Sequence, residues 1–312
     1  MMHSVIRPET KLLALFLVVL VGMNAAFGGR LSVDKLTAKT PMVAVVLLSV
    51  AAAVDGVRHR LLRLRRPSTA PAILRIVADW LPAILCIVVY ENLHDVARLV
   101  HSDTFDAGLA RIDMWMFGTQ PTIWLQRIVN PWLTDVMAFA YGSYFFTPTI
   151  LATLLYLRRE MNDFRTFMLL VITAMYAGFA GYLLVPAIGP LHHLRDAYTD
   201  PVVLKGIWLH QATAAVMDEY RAINTDCFPS LHTAVSTITL VWAWRVRDRV
   251  WLGRALAWVY AALMVALWFS TVYLRYHWVI DVLAGWALAA VLLAFVPRWY
   301  ERHQRRVEAA GR

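Results

Sequence analysis

Cysteine is nearly absent: only Cys86 and Cys227 occur among 312 residues. That excludes a disulfide framework and a zinc or iron–sulfur site built from thiolates, and leaves a single Cys86–Cys227 bridge as the one pairing available. Charge is also scarce, since Asp, Glu, Lys and Arg make up 16% of the chain where soluble domains carry roughly a quarter. Against these shortages stand 60% hydrophobic residues, 13 Trp, 12 Tyr and 13 Phe, with a mean hydropathy of +0.55. Neither a disordered chain nor an ordinary soluble fold has this balance, so the expectation is an all-α integral membrane protein. The formal net charge of +9, from 30 basic against 21 acidic residues, would point to nucleic acid on a soluble protein. In a membrane protein the excess belongs to the cytoplasmic loops, and no nucleic-acid partner is expected. Internal repeats, low-complexity segments and a separate soluble domain are missing too. Arg7 and Lys11 precede an apolar run without a clean small-x-small cleavage site, which reads as a retained first helix.

Apolar stretches that span or nearly span a bilayer fall at about 11–28, 41–56, 71–92, 133–157, 166–187, 230–246, 251–273 and 277–297. Eight spans place four arginine-rich loops on one face: Arg58 to Arg66, Arg158 to Arg165, Arg245 to Arg254, and Arg298 to Arg306. The positive-inside rule makes that face cytoplasmic, with both termini on it. The first outer loop, with Arg30, Lys35 and Lys39, is the exception to the pattern. The segment 105–130, with Trp115, Phe117 and Trp124 among Arg111, Asp113 and Arg127, is too polar to span and predicts a helix in the outer interface. The expected organisation is N-terminal transmembrane helices over 1–104, a membrane catalytic domain over 105–297 and a basic cytoplasmic tail over 298–312. The stretch 188–229 is long enough for a small lid.

Two segments carry candidate chemistry. Asp226-Cys227-Phe228-Pro229-Ser230-Leu231-His232 runs directly into an apolar helix. Pro229 fits a first helical turn there, and the unpaired N–H groups with the Ser230 hydroxyl suit a phosphate oxygen. The alternative is a capped helix with His232 hydrogen-bonded inside the bundle. In Tyr273-Leu274-Arg275-Tyr276-His277-Trp278-Val279-Ile280-Asp281, the spacing of four predicts His277 and Asp281 on one helical face. The carboxylate can then hold one ring N–H and leave the other nitrogen as a nucleophile or base; the alternative is a neutral structural pair. Both histidines fall at the extracytoplasmic ends of their spans.

Phe228-Pro229-Ser230-Leu231-His232-Thr233-Ala234, followed by His277 with Asp281, resembles the type 2 phosphatidic acid phosphatase superfamily. Ser270-Thr271-Val272-Tyr273-Leu274 and Gly181 to Pro190 are similar to segments of its inositol phosphorylceramide synthase branch and bacterial relatives. The resemblance covers about 105–297 and implies transfer through a covalent phospho-histidine, with no metal and no other cofactor. It implies that His277 attacks phosphorus, Asp281 orients it, His232 protonates the leaving oxygen, and Ser230 with nearby N–H groups holds phosphate oxygens. Tyr182 and Gly189 fall in the segment preceding the first histidine motif and are assigned to substrate binding. The superfamily's usual Lys and Arg-Pro motif is not visible, and its Ser-Arg reads Ser270-Thr271 here. Arg275 is the candidate for neutralising the phosphate, ahead of Arg221, Lys205 and Arg111.

The implied function is a phosphotransferase that moves a phospho-head group from a lipid phosphoester to a lipid or polyol acceptor. A lipid phosphate or polyprenyl pyrophosphate phosphatase is the alternative, and a transporter or non-catalytic scaffold the reading from another class. His192, His193 and His210 read as solvated loop residues, and Tyr141 and Tyr144 as packing residues. The Arg- and Ala-rich composition without organelle signals points to a bacterial inner membrane.

Overall fold

The computed structural model describes residues 8–26, 79–83, 86, 89–90, 93, 103–199, 204–212, 225–250 and 253–310. Secondary structure among them is helical, apart from one isolated parallel bridge between Ala187 and Asp226. The chain divides into two compact units, one of residues 1–100 with 296–312 and one of 101–295. In the first, helix α1 covers Pro8–Ala26, the expected first span. The expected second span and the arginines at 58–66 lie outside the described residues, and 71–92 is described only in part.

The second unit begins with α2 (Asp106–Phe117), an α-helix that ends at Gly118 in the left-handed conformation. A single turn at Pro121–Trp124 and a 3₁₀ turn at Leu125–Ile128 follow, so the expected interfacial helix over 105–130 is in fact broken by its glycine and proline. Helix α2 is amphipathic in an inverted sense. Asp106, Leu109, Ala110 and Asp113 are buried, while Trp115 is 84% exposed and Ile112 and Phe117 are exposed beside it. An outward face of large apolar side chains suits a lipid interface.

Helix α3 (Pro131–Gly142) starts where the Asn130 side chain accepts the Leu133 N–H at 3.0 Å, with Pro131 in the first turn. It leads through a 3₁₀ turn into α4 (Thr147–Leu157). These two cover the stretch of the expected fourth span and are bent by 42° at the break that precedes Pro148. Then come α5 (Met161–Leu184), α6 (Leu231–Val246), α7 (Gly253–Tyr273) and α8 (Val279–Ala310). Helices α5, α7 and α8 are long and apolar enough to cross a membrane, and α3 with α4 makes a fourth candidate. The expected last span, 277–297, continues past Pro297 as one helix to Ala310.

The core lies between α5, α6 and α7, with Phe164, Phe167, Phe179, Trp242 and Tyr260 fully buried. Interhelical polar contacts accompany this packing: Trp268 Nε1 donates to Ser236 Oγ at 2.8 Å, and the Tyr260 hydroxyl to the Thr147 carbonyl at 2.8 Å. At the arginine-rich end, Arg249 pairs with Asp163 at 2.6 Å. The other end gathers the C-termini of α5 and α7 and the N-termini of α6 and α8, and both histidine segments meet there.

Candidate active site

Helix α7 stops because the chain turns left-handed at Arg275, φ +63°. The Arg275 N–H donates to the Val272 carbonyl and the Tyr276 N–H to the Thr271 carbonyl. This is a Schellman closure with arginine where glycine is the usual occupant, at a cost of about 1 kcal/mol. Its consequence is positional: His277 comes off the helix end in an irregular loop, and α8 begins only at Val279. His277 and Asp281 therefore do not share a helical face as the spacing predicted. Instead Asp281, third residue of α8, reaches back and accepts the Trp278 N–H at 2.8 Å, the capping-box arrangement at a helix start. From that position its Oδ2 lies 3.4 Å from His277 Nδ1.

The shorter contact of that nitrogen is with the Cys227 carbonyl, at 2.9 Å. A carbonyl only accepts, so Nδ1 carries the proton and the neutral ring keeps its lone pair on Nε2. The Cys227 side chain closes the same cluster, its thiol donating to Asp281 Oδ2 at 2.8 Å. Burial and the adjacent Asp281 charge push that thiol well above its usual range, and both Cys86 and Cys227 are free thiols.

His232 lies in the first turn of α6, its ring centroid 5.7 Å from that of His277. Tyr141 stacks on it at 4.2 Å and 24°, Tyr144 lies at 4.2 Å, and Phe145 approaches edge-on at 6.2 Å. The Tyr141 hydroxyl is 3.4 Å from His232 Nδ1. These tyrosines do pack, as expected, but they pack on the candidate acid and hold its ring in place. Ser230 is the N-cap of α6: its Oγ accepts from the Thr233 N–H at 3.3 Å and the Thr233 hydroxyl at 3.1 Å. The capped-helix alternative is thus realised for Ser230, and Pro229 sits just before the cap rather than in the first turn. The Phe228–Pro229 peptide is cis. Gly181 lets this segment pack on α5, for a Cβ there would collide with the Pro229 ring.

Two carboxylates on α2 hold the surrounding loops. Asp106 accepts the N–H groups of Ile188 and Gly189, both at 2.9 Å, and the Trp278 indole N–H at 3.0 Å. Asp113 accepts the N–H groups of Val279 and Ile280 at 2.8 and 3.0 Å, completing the cap of α8. The seven-residue separation puts both on one face, two turns apart. The sequence alone marks Asp113 only as one of the charges that make 105–130 too polar to span, and assigns neither carboxylate a role in the site. Burial pushes the Asp113 carboxyl up to about 6, with the Asp281 charge adding and the two accepted N–H bonds opposing. Because that lies above its ordinary 3.8, the folded state binds the extra proton: stability from this group is present below about pH 4 and is lost as pH rises through about 6. Thermal unfolding of wild type should therefore show a stability loss of roughly 3 kcal/mol over that window, and Asp113→Asn should lack that component.

Gly189 adopts φ +85°, ψ 168°, a region open essentially to glycine alone, and its N–H is already held by Asp106. A Cβ there would stand 2.8 Å from the Tyr276 carbonyl and 3.2 Å from Cys227 Sγ. Gly189→Ala should cost about 1–3 kcal/mol, read as a drop in melting temperature, and should displace the Cys227 cluster and lower turnover. Tyr182 is buried on α5, 6.3 Å from Phe179. Arg275 is 2% exposed; its guanidinium lies 3.8 Å over the Tyr198 ring, and among the described residues its Nη2 has no hydrogen-bond partner. Burial lowers its pKa, though guanidinium stays charged. Burial pushes the Tyr198 hydroxyl up to about 12. Lys205 and Arg111 are exposed, and Arg221 lies outside the described residues. His193 is exposed, but His210 is 8% exposed and so not a solvated loop residue, because its N–H and those of Ile207 and Trp208 converge on Asp135.

A family model described as the PAP2 superfamily matches residues 107–295. A phosphoinositol dihydroceramide synthase of Bacteroides thetaiotaomicron is 26% identical over 196 residues, which cover 57% of this chain and 63% of that protein. The chain thus spans somewhat less than two thirds of that relative's length. No solved structure matches. With both histidine segments inside a match that takes in more than half of its residues, this integral membrane chain belongs to the PAP2 superfamily, the group of phosphatases and phosphotransferases that those segments resemble.

Proposed function

We propose that the protein is a membrane phosphotransferase that moves a phospho-head group from a lipid phosphoester to a lipid or polyol acceptor through a phospho-histidine at His277. The observation that carries this reading is the 2.9 Å contact of Nδ1 with the Cys227 carbonyl, which leaves the Nε2 lone pair available for attack. In the first step Nε2 forms a bond to phosphorus as the bond from phosphorus to the lipid oxygen breaks. His232 gives that oxygen its proton, while Nδ1–H stays on the Cys227 carbonyl and Asp281 steadies the positive ring. In the second, an acceptor hydroxyl loses its proton to His232 and attacks phosphorus, releasing His277. Arg275 supplies fixed positive charge for the equatorial oxygens, and the Ser230 hydroxyl hydrogen, left over after its two accepted bonds, serves the same oxygens.

The site lies at the bundle end opposite Arg249 and its neighbours, which supports an extracytoplasmic reaction under the positive-inside rule. The full topology in this reading has eight spans with both termini cytoplasmic, in a bacterial inner membrane. The similarity to a phosphoinositol dihydroceramide synthase favours a phosphoinositol-type head group and a sphingoid-type acceptor.

The test incubates purified protein with phosphoryl-labelled lipid phosphoesters, with and without sphingoid or polyol acceptors and with chelator throughout. Acceptor-dependent formation of a labelled phosphodiester lipid is the expected result. Release of inorganic phosphate alone, indifferent to acceptor, would replace the transferase by a lipid phosphatase with water in the second step.

A further inference from the structure

We propose that Cys227, His277 and Asp281 form a binding site for Zn²⁺, and that the bound ion switches the site off. The inhibitory half rests on the proposed role of His277; the binding half does not. The three donor atoms are Cys227 Sγ, His277 Nδ1 and Asp281 Oδ2, separated by 3.6 Å (S to N), 2.8 Å (S to O) and 3.4 Å (N to O). The point equidistant from all three lies roughly 1.9 Å from each, so an ion slightly out of their plane meets Zn–S near 2.3 Å and Zn–N and Zn–O near 2.0–2.2 Å. All three residues are buried.

A separate feature points to a cation. Asp281 is fully buried, and among the described residues its Oδ1 has no hydrogen-bond partner. A carboxylate oxygen in that state is costly, and bidentate coordination through Oδ1 would satisfy it and supply the fourth ligand. Charge balances as well, because one thiolate and one carboxylate neutralise a dication and leave no net charge in the interior. Two cysteines cannot build a zinc site from thiolates alone, but one thiolate with an imidazole and a carboxylate can.

Coordination at Nδ1 has a consequence for the chemistry. The ion needs the lone pair on that nitrogen, so the ring proton moves from Nδ1 to Nε2, the Cys227 carbonyl gives up the bond it accepts at 2.9 Å and turns aside from the ion, and the Cys227 thiol proton leaves to solvent. The imidazole stays neutral, but Nε2 then carries hydrogen in place of the pair that would attack phosphorus. The zinc-loaded protein binds its lipid donor and does not form the phospho-histidine. Because the donors are buried, inhibition sets in slowly and is reversed by chelator.

The binding claim is tested without turnover. Full-length protein in detergent, titrated with Co²⁺, should develop a thiolate-to-cobalt charge-transfer band at one ion per chain, and Zn²⁺ should displace it. Cys86→Ser should keep the band and Cys227→Ser should lose it; no band, or an unchanged band in Cys227→Ser, overturns the site. X-ray absorption of zinc-loaded wild type needs no variant, and should show one sulfur and three lighter donors; zero or two sulfurs overturns it. In the activity arm, preincubation with Zn²⁺ should slow head-group release at least tenfold in wild type. Cys227→Ser, compared with its own metal-free rate, should need at least about tenfold more zinc for the same effect. A zinc-loaded wild type that turns over normally overturns the switch. Absence of turnover in metal-free wild type would count against the proposed function, while the cobalt spectrum still decides the ion site.

Discussion

His277→Asn is expected to abolish turnover, by about four orders of magnitude or more, in a protein that unfolds close to the wild-type temperature. The asparagine amide falls near the position of Nδ1 and can still donate to the Cys227 carbonyl, which accepts at 2.9 Å in wild type. What it lacks is any atom in place of Nε2. His277→Ala removes the nucleophile too, but leaves a buried carbonyl without its donor, at a cost of about 1–3 kcal/mol, so it confounds chemistry with stability. His232 should behave differently. A general acid is worth about 10²–10⁴ in rate, and only when the leaving oxygen needs a proton. His232→Ala should therefore lose that factor with a lipid alkoxide leaving group and far less with a nitrophenolate ester. Equal losses on both substrates would remove His232 from the acid role.

The largest effect on stability is expected at Asp106. Its carboxylate is fully buried and accepts from Ile188 N–H, Gly189 N–H and the Trp278 indole. Asp106→Ala leaves three donors without an acceptor, those of Gly189 and Trp278 buried and that of Ile188 half-buried; at roughly 1–3 kcal/mol for each before relaxation, a loss of at least about 3–5 kcal/mol is expected. The loops concerned are those on either side of the site: Gly189 abuts the Tyr276 carbonyl and Cys227 Sγ, and Trp278 follows His277. Activity should fall even where the variant remains folded. Asp106→Asn keeps one acceptor oxygen but turns an NH₂ towards a donor, and should lie between the two. Denaturant unfolding of the purified variants checks the order, and Asp106→Ala within about 0.5 kcal/mol of wild type would contradict the clamp.

The pattern of residues that sequence reasoning could and could not place has a physical basis. His232, His277 and Asp281 stand out in the sequence as candidates because residue type and order are local properties of the chain. Their geometry is less legible there. The four-residue spacing implied a helical face, yet the left-handed turn at Arg275 takes His277 out of the helix, and nothing in Leu-Arg-Tyr-His announces positive φ at an arginine. The acceptor for Nδ1 is a backbone carbonyl fifty residues away, and no side-chain pattern encodes the position of a carbonyl. Asp106 and Asp113 carried a readable signal, the seven-residue period of one helix face. In a segment of mixed charge that face reads as solvated, whereas here the apolar face, with Trp115, is the exposed one. An exposed apolar face with buried carboxylates inverts the usual sense of amphipathicity. Ser230 combined two signals, a phosphate ligand and an N-cap, and local geometry satisfies the cap at once.

Trapping the intermediate tests the central claim most directly. Wild-type protein is mixed with a phosphoryl-labelled lipid donor, without acceptor, quenched within the first turnover, and its peptides are sorted for acid-labile, base-stable label. The account predicts label on the peptide containing His277, chased into product by acceptor and absent from His277→Asn. Turnover that persists in His277→Asn, or product formed in wild type with no labelled protein at any time, would contradict it.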